Sequence, residues 1–254
     1  LLLPLLYDKT WLQTNIENKL RDEFRMNLST SANITYRILP APHFLIKDSK
    51  ILVEDKNKKK SIAEIKDFQV FLYQGNFFDK KKLNIKKVVI NNANFSLLRN
   101  EIGLLDKFKN KKFSEKKIKI NNSNIFFKDN SEEIILIIKI NKTALFFDKE
   151  KSHNFINLKG NVFNIPFVFD FNNQNDPIKY EKINFYSKKL KLNISNESTT
   201  KNELISGENN ISFLTSTVNT KYNVKDKLIN FKSDNSRLNN SQVNYTGELS
   251  INPF

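Results

Sequence analysis

Side chains able to perform acid–base, nucleophilic or metal chemistry are few in this chain and are not grouped. Its 254 residues hold two histidines, His43 and His153, and no cysteine. Disulfides and thiolate-bound zinc are thereby excluded, and little remains for a histidine metal site or a catalytic triad. The carboxylates stand singly. Asp48, Asp67 and Asp129 fall at the ends of apolar runs, where a short polar side chain serves a strand end better than general acid catalysis. With only 5 glycines there is no Gly-rich phosphate loop. No enzyme, metal or cofactor is expected, and any function must rest on surfaces rather than on a reacting group.

Charge is the other chemical signal. Lys and Arg number 42 and the formal net charge is +15, enough to neutralise phosphates and release counterions. Only five of these residues are arginines: Arg21, Arg25, Arg37, Arg99 and Arg237. The lysines come with abundant Asn, Ile and Phe, all encoded by AT-rich codons, while Gly, Pro and Arg are scarce. That composition suggests an AT-rich genome, with lysines spread over solvated strand faces. Arginine-led base recognition is missing, so nucleic acid is not expected as a partner. A single-strand binder with Tyr and Phe platforms is the least favoured alternative. Mild attraction to anionic lipid headgroups is a more economical use of the same charge. The run Lys58-Lys59-Lys60 reads as a solvated hairpin tip.

The elements that position these side chains are mostly strands. The chain opens Leu1-Leu2-Leu3-Pro4-Leu5-Leu6, too short to span a bilayer, which takes about 20 apolar residues. It suits the outer end of a membrane anchor or the tail of a signal sequence, with an apolar strand as the alternative. Asp8 is a candidate N-cap, and Leu12, Ile16, Leu20 and Phe24 recur at i, i+4 spacing, which predicts an amphipathic helix to Arg25. Its apolar stripe must cover something, most simply the open end of a β-sheet. A second helical turn is possible at 101–108. Beyond Leu28 the chain reads as antiparallel strands at intervals of about 8–12 residues. Pro40-Ala41-Pro42 forces a corner, because two prolines cannot continue a ladder. The expected organisation is an anchor end and helix over 1–27, then one elongated domain over 28–254 with a possible sub-boundary near 101–115.

Two strands define a candidate apolar lining. One carries Ile134, Leu136, Ile138 and Ile140; in the other, Phe163, Ile165, Phe167, Phe169 and Phe171 alternate with mostly polar residues. Period-2 alternation places each set on one face of a sheet. These nine positions either line an open trough or pack against a second sheet in a closed sandwich. A loose internal repeat accompanies them: Ile90-Asn91-Asn92-Ala93-Asn94-Phe95, Ile120-Asn121-Asn122-Ser123-Asn124-Ile125 and Leu238-Asn239-Asn240-Ser241-Gln242-Val243. Each reads as strand, Asn-Asn corner, strand, with Asn bending the chain where Gly is rare. Repetition of one such unit implies an elongated stack. About 14 strands at roughly 4.8 Å would extend on the order of 65 Å.

The order of elements resembles a known family. An apolar end, an amphipathic helix and Pro40-Ala41-Pro42 lead into Phe44-Leu45-Ile46-Lys47-Asp48-Ser49-Lys50-Ile51. Ile62-Ala63-Glu64-Ile65, Phe68-Gln69-Val70-Phe71-Leu72 and Ile85-Lys86-Lys87-Val88-Val89-Ile90-Asn91-Asn92-Ala93-Asn94-Phe95 follow. This series is similar to the N-terminal region of the AsmA-like proteins of Gram-negative bacteria, over about the first 100 residues; the corner proline usual in that family is replaced here by Asn92 or Ala93. The resemblance implies an inner-membrane anchor with the bulk of the chain periplasmic. It also implies a curved β-groove with an apolar interior for phospholipid acyl chains, and a non-enzymatic role in phospholipid transport or in outer-membrane assembly and maintenance, with an unidentified envelope protein as a possible partner. The alternative is a structural or adhesive β-solenoid of the cell envelope.

Overall fold

The computed structural model describes residues 8–29, 34–55, 58–73, 83–101, 110–175 and 178–250. The apolar N-terminal run and residues 102–108 of the possible second helical turn lie outside the described residues; before them, Arg99–Glu101 forms a short 3-10 turn. As expected, the protein is mainly β with one N-terminal helix. It divides into two compact units, residues 1–147 and 148–254. The helix is not a separate segment, because it shares a core with the first strands.

The first unit holds α1 (Lys9–Phe24), β1 (Asn27–Ser29), β2 (Ile34–Arg37), β3 (His43–Asp55), β4 (Lys58–Leu72), β5 (Ile85–Leu98), β6 (Ile118–Lys128) and β7 (Ile134–Asp148). The Asp8 carboxylate accepts the Trp11 N–H at 2.8 Å, satisfying one of the four donors that a helix start leaves unpaired. At the other end Arg25 is left-handed (φ 55°), and the Met26 N–H closes back on the Leu20 carbonyl at 3.1 Å. Leu12, Ile16, Leu20 and Phe24 are all buried in one cluster with Phe44, Ile46, Ile65, Phe68, Val70, Val88 and Ile90. The helix thus lies against the face of β3–β5 rather than capping an open end. A stripe of four apolar side chains matches a sheet face, whereas an edge presents polar backbone. Each side chain so buried contributes about 1.5–3 kcal/mol.

β1 and β2 pair end to end along one edge of β3, and the Pro40-Ala41-Pro42 segment forms the corner between β2 and β3. The pairing then runs β3–β4–β5 antiparallel. Lys58-Lys59-Lys60 forms the start of β4, paired in register with Asp55, Glu54 and Val53. The next pair, β5–β6, is parallel, which departs from the expected antiparallel order. A parallel partner needs a crossover of a dozen or more residues, and the stretch from Arg99 to Lys117 supplies it.

That pair explains two copies of the repeat. Ile90, Asn91, Asn94 and Phe95 lie beside Ile120, Asn121, Asn124 and Ile125, so the copies stack in register thirty residues apart. Asn121 Nδ2 donates to Asn91 Oδ1 at 2.9 Å and Asn124 Nδ2 to Asn94 Oδ1 at 3.0 Å. The Ser123 hydroxyl accepts the Ala93 N–H at 3.0 Å. The chain does not turn at these Asn-Asn pairs. It creases: Asn92 (φ 55°) and Asn122 (φ 46°) are left-handed residues within continuous strands. Each shifts the inward positions by one, so Ile90 and Ala93 both face the core although three apart. Asp48 (φ 50°) does the same between Ile46 and Ser49 on β3. The third copy behaves differently, with Asn239-Asn240 forming a hairpin turn.

The second unit is an antiparallel ladder of β8 (His153–Val162), β9 (Ile165–Gln174), β10 (Lys179–Ser187), β11 (Leu192–Lys201), β12 (Leu204–Phe213), β13 (Ser216–Lys225), β14 (Leu228–Leu238) and β15 (Ser241–Ser250), each paired with the next. Three two-residue turns are left-handed at both positions: Phe163-Asn164, Asn202-Glu203 and Asp226-Lys227. This is the geometry whose twist suits a hairpin and which favours Asn-Gly. Glu203→Gly is therefore expected to stabilise the unit by about 1 kcal/mol, a rise in Tm of roughly 4 °C. Thermal unfolding measures it, and a lowered Tm contradicts the turn assignment.

Candidate functional site

Cross-strand register sorts the second unit into two chemically distinct faces. Opposite one another on β8 to β13 stand Leu158, Phe169, Phe185, Ile194, Ile211 and Val218, an unbroken apolar row. Phe167, Leu192 and Phe213 flank it on the same face, as do Ile156, Phe171 and Ile183. The other face is mostly polar, Phe155, Val168 and Tyr186 being exceptions. Asn157 Nδ2 donates to the Asp170 carboxylate at 2.6 Å, and Lys182 Nζ lies 3.1 Å from the Glu197 carboxylate. Hydrogen bonds from Lys182 and Tyr180 hold the Glu197 carboxyl below the usual carboxylate range.

The apolar row is only half-buried, and Ile211 is 36% exposed. Among the described residues of 148–254 there are only strands of this ladder and their turns, so no helix or second sheet within the unit covers the row. In the first unit the equivalent face lies under α1, and Phe44, Phe68, Ile65 and Ile90 are at most 2% exposed. The same sequence pattern has produced a closed core in one unit and, in the other, a half-exposed row beside the buried Phe167 and Phe171.

Further along the ladder the apolar face becomes shallow and partly polar. Tyr222 on β13 lies over Gly207 on β12, where an added Cβ would come within 2.5 Å of the ring. Its hydroxyl accepts from Asn196 Nδ2 at 2.8 Å, and the same amide donates to Asn209 Oδ1 at 2.6 Å. Phe231 on β14 covers Gly247 on β15 in the same way. Glycine is required at both positions so that an aromatic ring can lie flat across the neighbouring strand.

The nine expected lining residues divide between the two units. On β9, Ile165, Phe167, Phe169 and Phe171 share the apolar face, with Phe167 stacked on Phe185 at 5.2 Å between centroids. Phe163 does not belong with them: it is the first residue of the β8–β9 turn, left-handed (φ 49°) and 77% exposed. On β7, Leu136 and Ile138 are half-buried opposite Phe127 and Ile125. Ile140, opposite Ser123, is buried and lines no open surface, while Ile134, at the start of β7, is 52% exposed. Sequence inspection missed Leu158, Phe185, Ile194, Ile211 and Val218. Their apolar residues stand among many polar ones, and only the register aligns them.

His43 serves structure rather than chemistry. It is buried, its Nδ1 donates to the Ala41 carbonyl at 2.7 Å, and its ring stacks on Phe71 with 4.8 Å between centroids. Among the described residues no three His, Cys, Asp or Glu side chains gather closely enough to hold a metal ion. None of their helices is long and apolar enough to cross a membrane, which says nothing about spanning by strands.

Fold and site together define a class of protein: a mainly β chain with an N-terminal helix, built from strand ladders, one of which leaves a row of apolar residues half-exposed. No protein-family model and no curated protein matches the chain in sequence.

Proposed function

We propose that the chain is a non-enzymatic lipid-handling protein of the bacterial envelope that holds phospholipid acyl chains along the apolar face of residues 148–254. The observation that carries this reading is the row Leu158, Phe169, Phe185, Ile194, Ile211 and Val218, left half-exposed where the first unit covers the equivalent face with a helix. Six strands at about 4.8 Å give a strip on the order of 24 Å long, enough for one acyl chain, whose length is about half of the roughly 30 Å hydrocarbon core. Apolar contact is non-directional, so a slippery strip of this kind suits a flexible chain and needs no particular headgroup.

The resemblance of residues 1–100 to AsmA-like proteins supports the same reading. What it implies is consistent with that reading: an inner-membrane anchor at the N-terminus, the bulk of the chain in the periplasm, and a role in phospholipid transport or outer-membrane assembly. A purely structural β-stack is the competing reading, favoured by the in-register Asn pairs between β5 and β6. Native mass spectrometry of protein purified in mild detergent separates the two. Co-purified phospholipid is the expected result, and protein free of lipid supports the structural alternative.

A further inference from the structure

The two ends of the β8–β15 ladder differ in chemistry. Antiparallel alternation brings the β8–β9, β10–β11, β12–β13 and β14–β15 turns to one end, and hydrogen bonds knit them into a continuous rim. Lys189 Nζ donates to the Asn164 carbonyl at 3.4 Å, and the Leu214 N–H to the Lys191 carbonyl at 3.2 Å. The Thr215 hydroxyl donates to Asn239 Oδ1 at 2.8 Å, and the Asn239 N–H to the Ser216 hydroxyl at 3.1 Å.

Two of these tips carry large apolar residues where the backbone least favours them. Phe163 (φ 49°, 77% exposed) and Leu214 (φ 53°, 63% exposed) each occupy the first position of a turn in left-handed conformation. Both a bulky side chain at positive φ and apolar area left in water are costly. At the opposite end the corresponding positions are Asn202 and Asp226, residue types that suit left-handed turns. Charge divides the same way. Lys188, Lys189 and Lys191 stand exposed between Phe163 and Leu214, and Lys159 and Arg237 lie near by. The segments 159–168, 186–193, 212–217 and 237–242 contain no Asp or Glu, whereas the other rim mixes Lys201, Lys225 and Lys227 with Glu203 and Asp226.

We infer that this rim docks on an anionic lipid bilayer, with Phe163 and Leu214 inserting among the headgroups and Lys188, Lys189 and Lys191 held against the lipid phosphates. Apolar tips flanked by lysines, without acidic neighbours, are complementary to an interface that is greasy beneath and negative above. A protein partner would call for hydrogen-bonding complementarity and a packed hot spot, for which a single row of tips offers little area. The inference stands on turn residues outside the apolar row and does not depend on acyl-chain binding.

Flotation of the full chain with vesicles of phosphatidylcholine, with and without phosphatidylglycerol, tests it. The wild type is expected to float with phosphatidylglycerol vesicles and weakly with phosphatidylcholine alone. Phe163→Asn with Leu214→Asn, which keeps residues suited to left-handed turns, should lower the bound fraction at least about tenfold, as should Lys188→Gln, Lys189→Gln and Lys191→Gln combined. Lys201→Gln, Lys225→Gln and Lys227→Gln at the other rim should leave binding unchanged, with circular dichroism confirming that every variant is folded. Equal losses from the two rims, or no flotation of the wild type, overturn the inference. So does a wild-type dimer that Phe163→Asn with Leu214→Asn converts to monomer, because the rim then joins two copies of the chain. Ile194→Glu with Ile211→Glu, which alters the apolar row alone, should float like the wild type, so failure of docking and failure of acyl-chain binding are distinguishable.

Discussion

Phe68→Ala is expected to destabilise the first unit by about 3–5 kcal/mol, while Phe169→Ala costs the second only about 1 kcal/mol. Both are strand phenylalanines facing the apolar side of a ladder. Phe68 is fully buried in the cluster that includes the α1 stripe, and its removal leaves a cavity between its cross-strand neighbours Ile46 and Ile90 that the close-packed surroundings cannot collapse to fill. Phe169 is half-buried, so truncation forfeits less buried area and leaves no enclosed void. Urea titrations measure both losses. The single tryptophan, Trp11, sits on α1, so its fluorescence follows the first unit, while circular dichroism follows both. Equal losses at the two sites would mean that the second apolar face is as well covered as the first.

The pair Ile194→Glu and Ile211→Glu carries the largest expected effect on function. These residues are direct cross-strand partners in the middle of the apolar row. Two carboxylates there cannot be desolvated by an acyl chain without a cost of several kcal/mol, so co-purified phospholipid should fall at least about a hundredfold. The fold should survive, because the row is only half-buried and the new charges can reach water. Ser195→Glu with Asn210→Glu, the adjacent partners on the polar face, imposes the same like-charge repulsion between β11 and β12. Lipid content should be unchanged in that control. If both pairs remove lipid equally, the loss reflects strand repulsion and the acyl-chain reading fails.

What could be anticipated from residues alone depended on how far apart the interacting groups lie in the chain. The helix was legible in full, since its cap at Asp8 and its stripe from Leu12 to Phe24 are set by contacts within four residues. The alternation of Ile165, Phe167, Phe169 and Phe171 likewise follows from strand geometry, and so does the corner at Pro40-Ala41-Pro42. Asn-Asn pairs were harder. The same two residues crease a strand at Asn91-Asn92 and at Asn121-Asn122 but reverse the chain at Asn239-Asn240, because Asn tolerates left-handed backbone in either setting. Which outcome prevails depends on whether a neighbouring strand is present to continue the ladder.

Phe163 shows the same limit from the other side. Its apolar character extended the β9 pattern by one step, yet the pairing of Val162 with Ile165 made it a turn residue. By itself, the sequence determined that the protein is mainly β with an amphipathic helix, that it holds two histidines and no cysteine, and that some strands have one apolar face. Only the tertiary structure decided that β5 and β6 run parallel, that α1 lies on a sheet face, and that Leu158, Phe169, Phe185, Ile194, Ile211 and Val218 form one row. The reason is physical: alternation fixes which side of its own strand a residue takes, whereas register and cover are set by strands and helices remote in sequence.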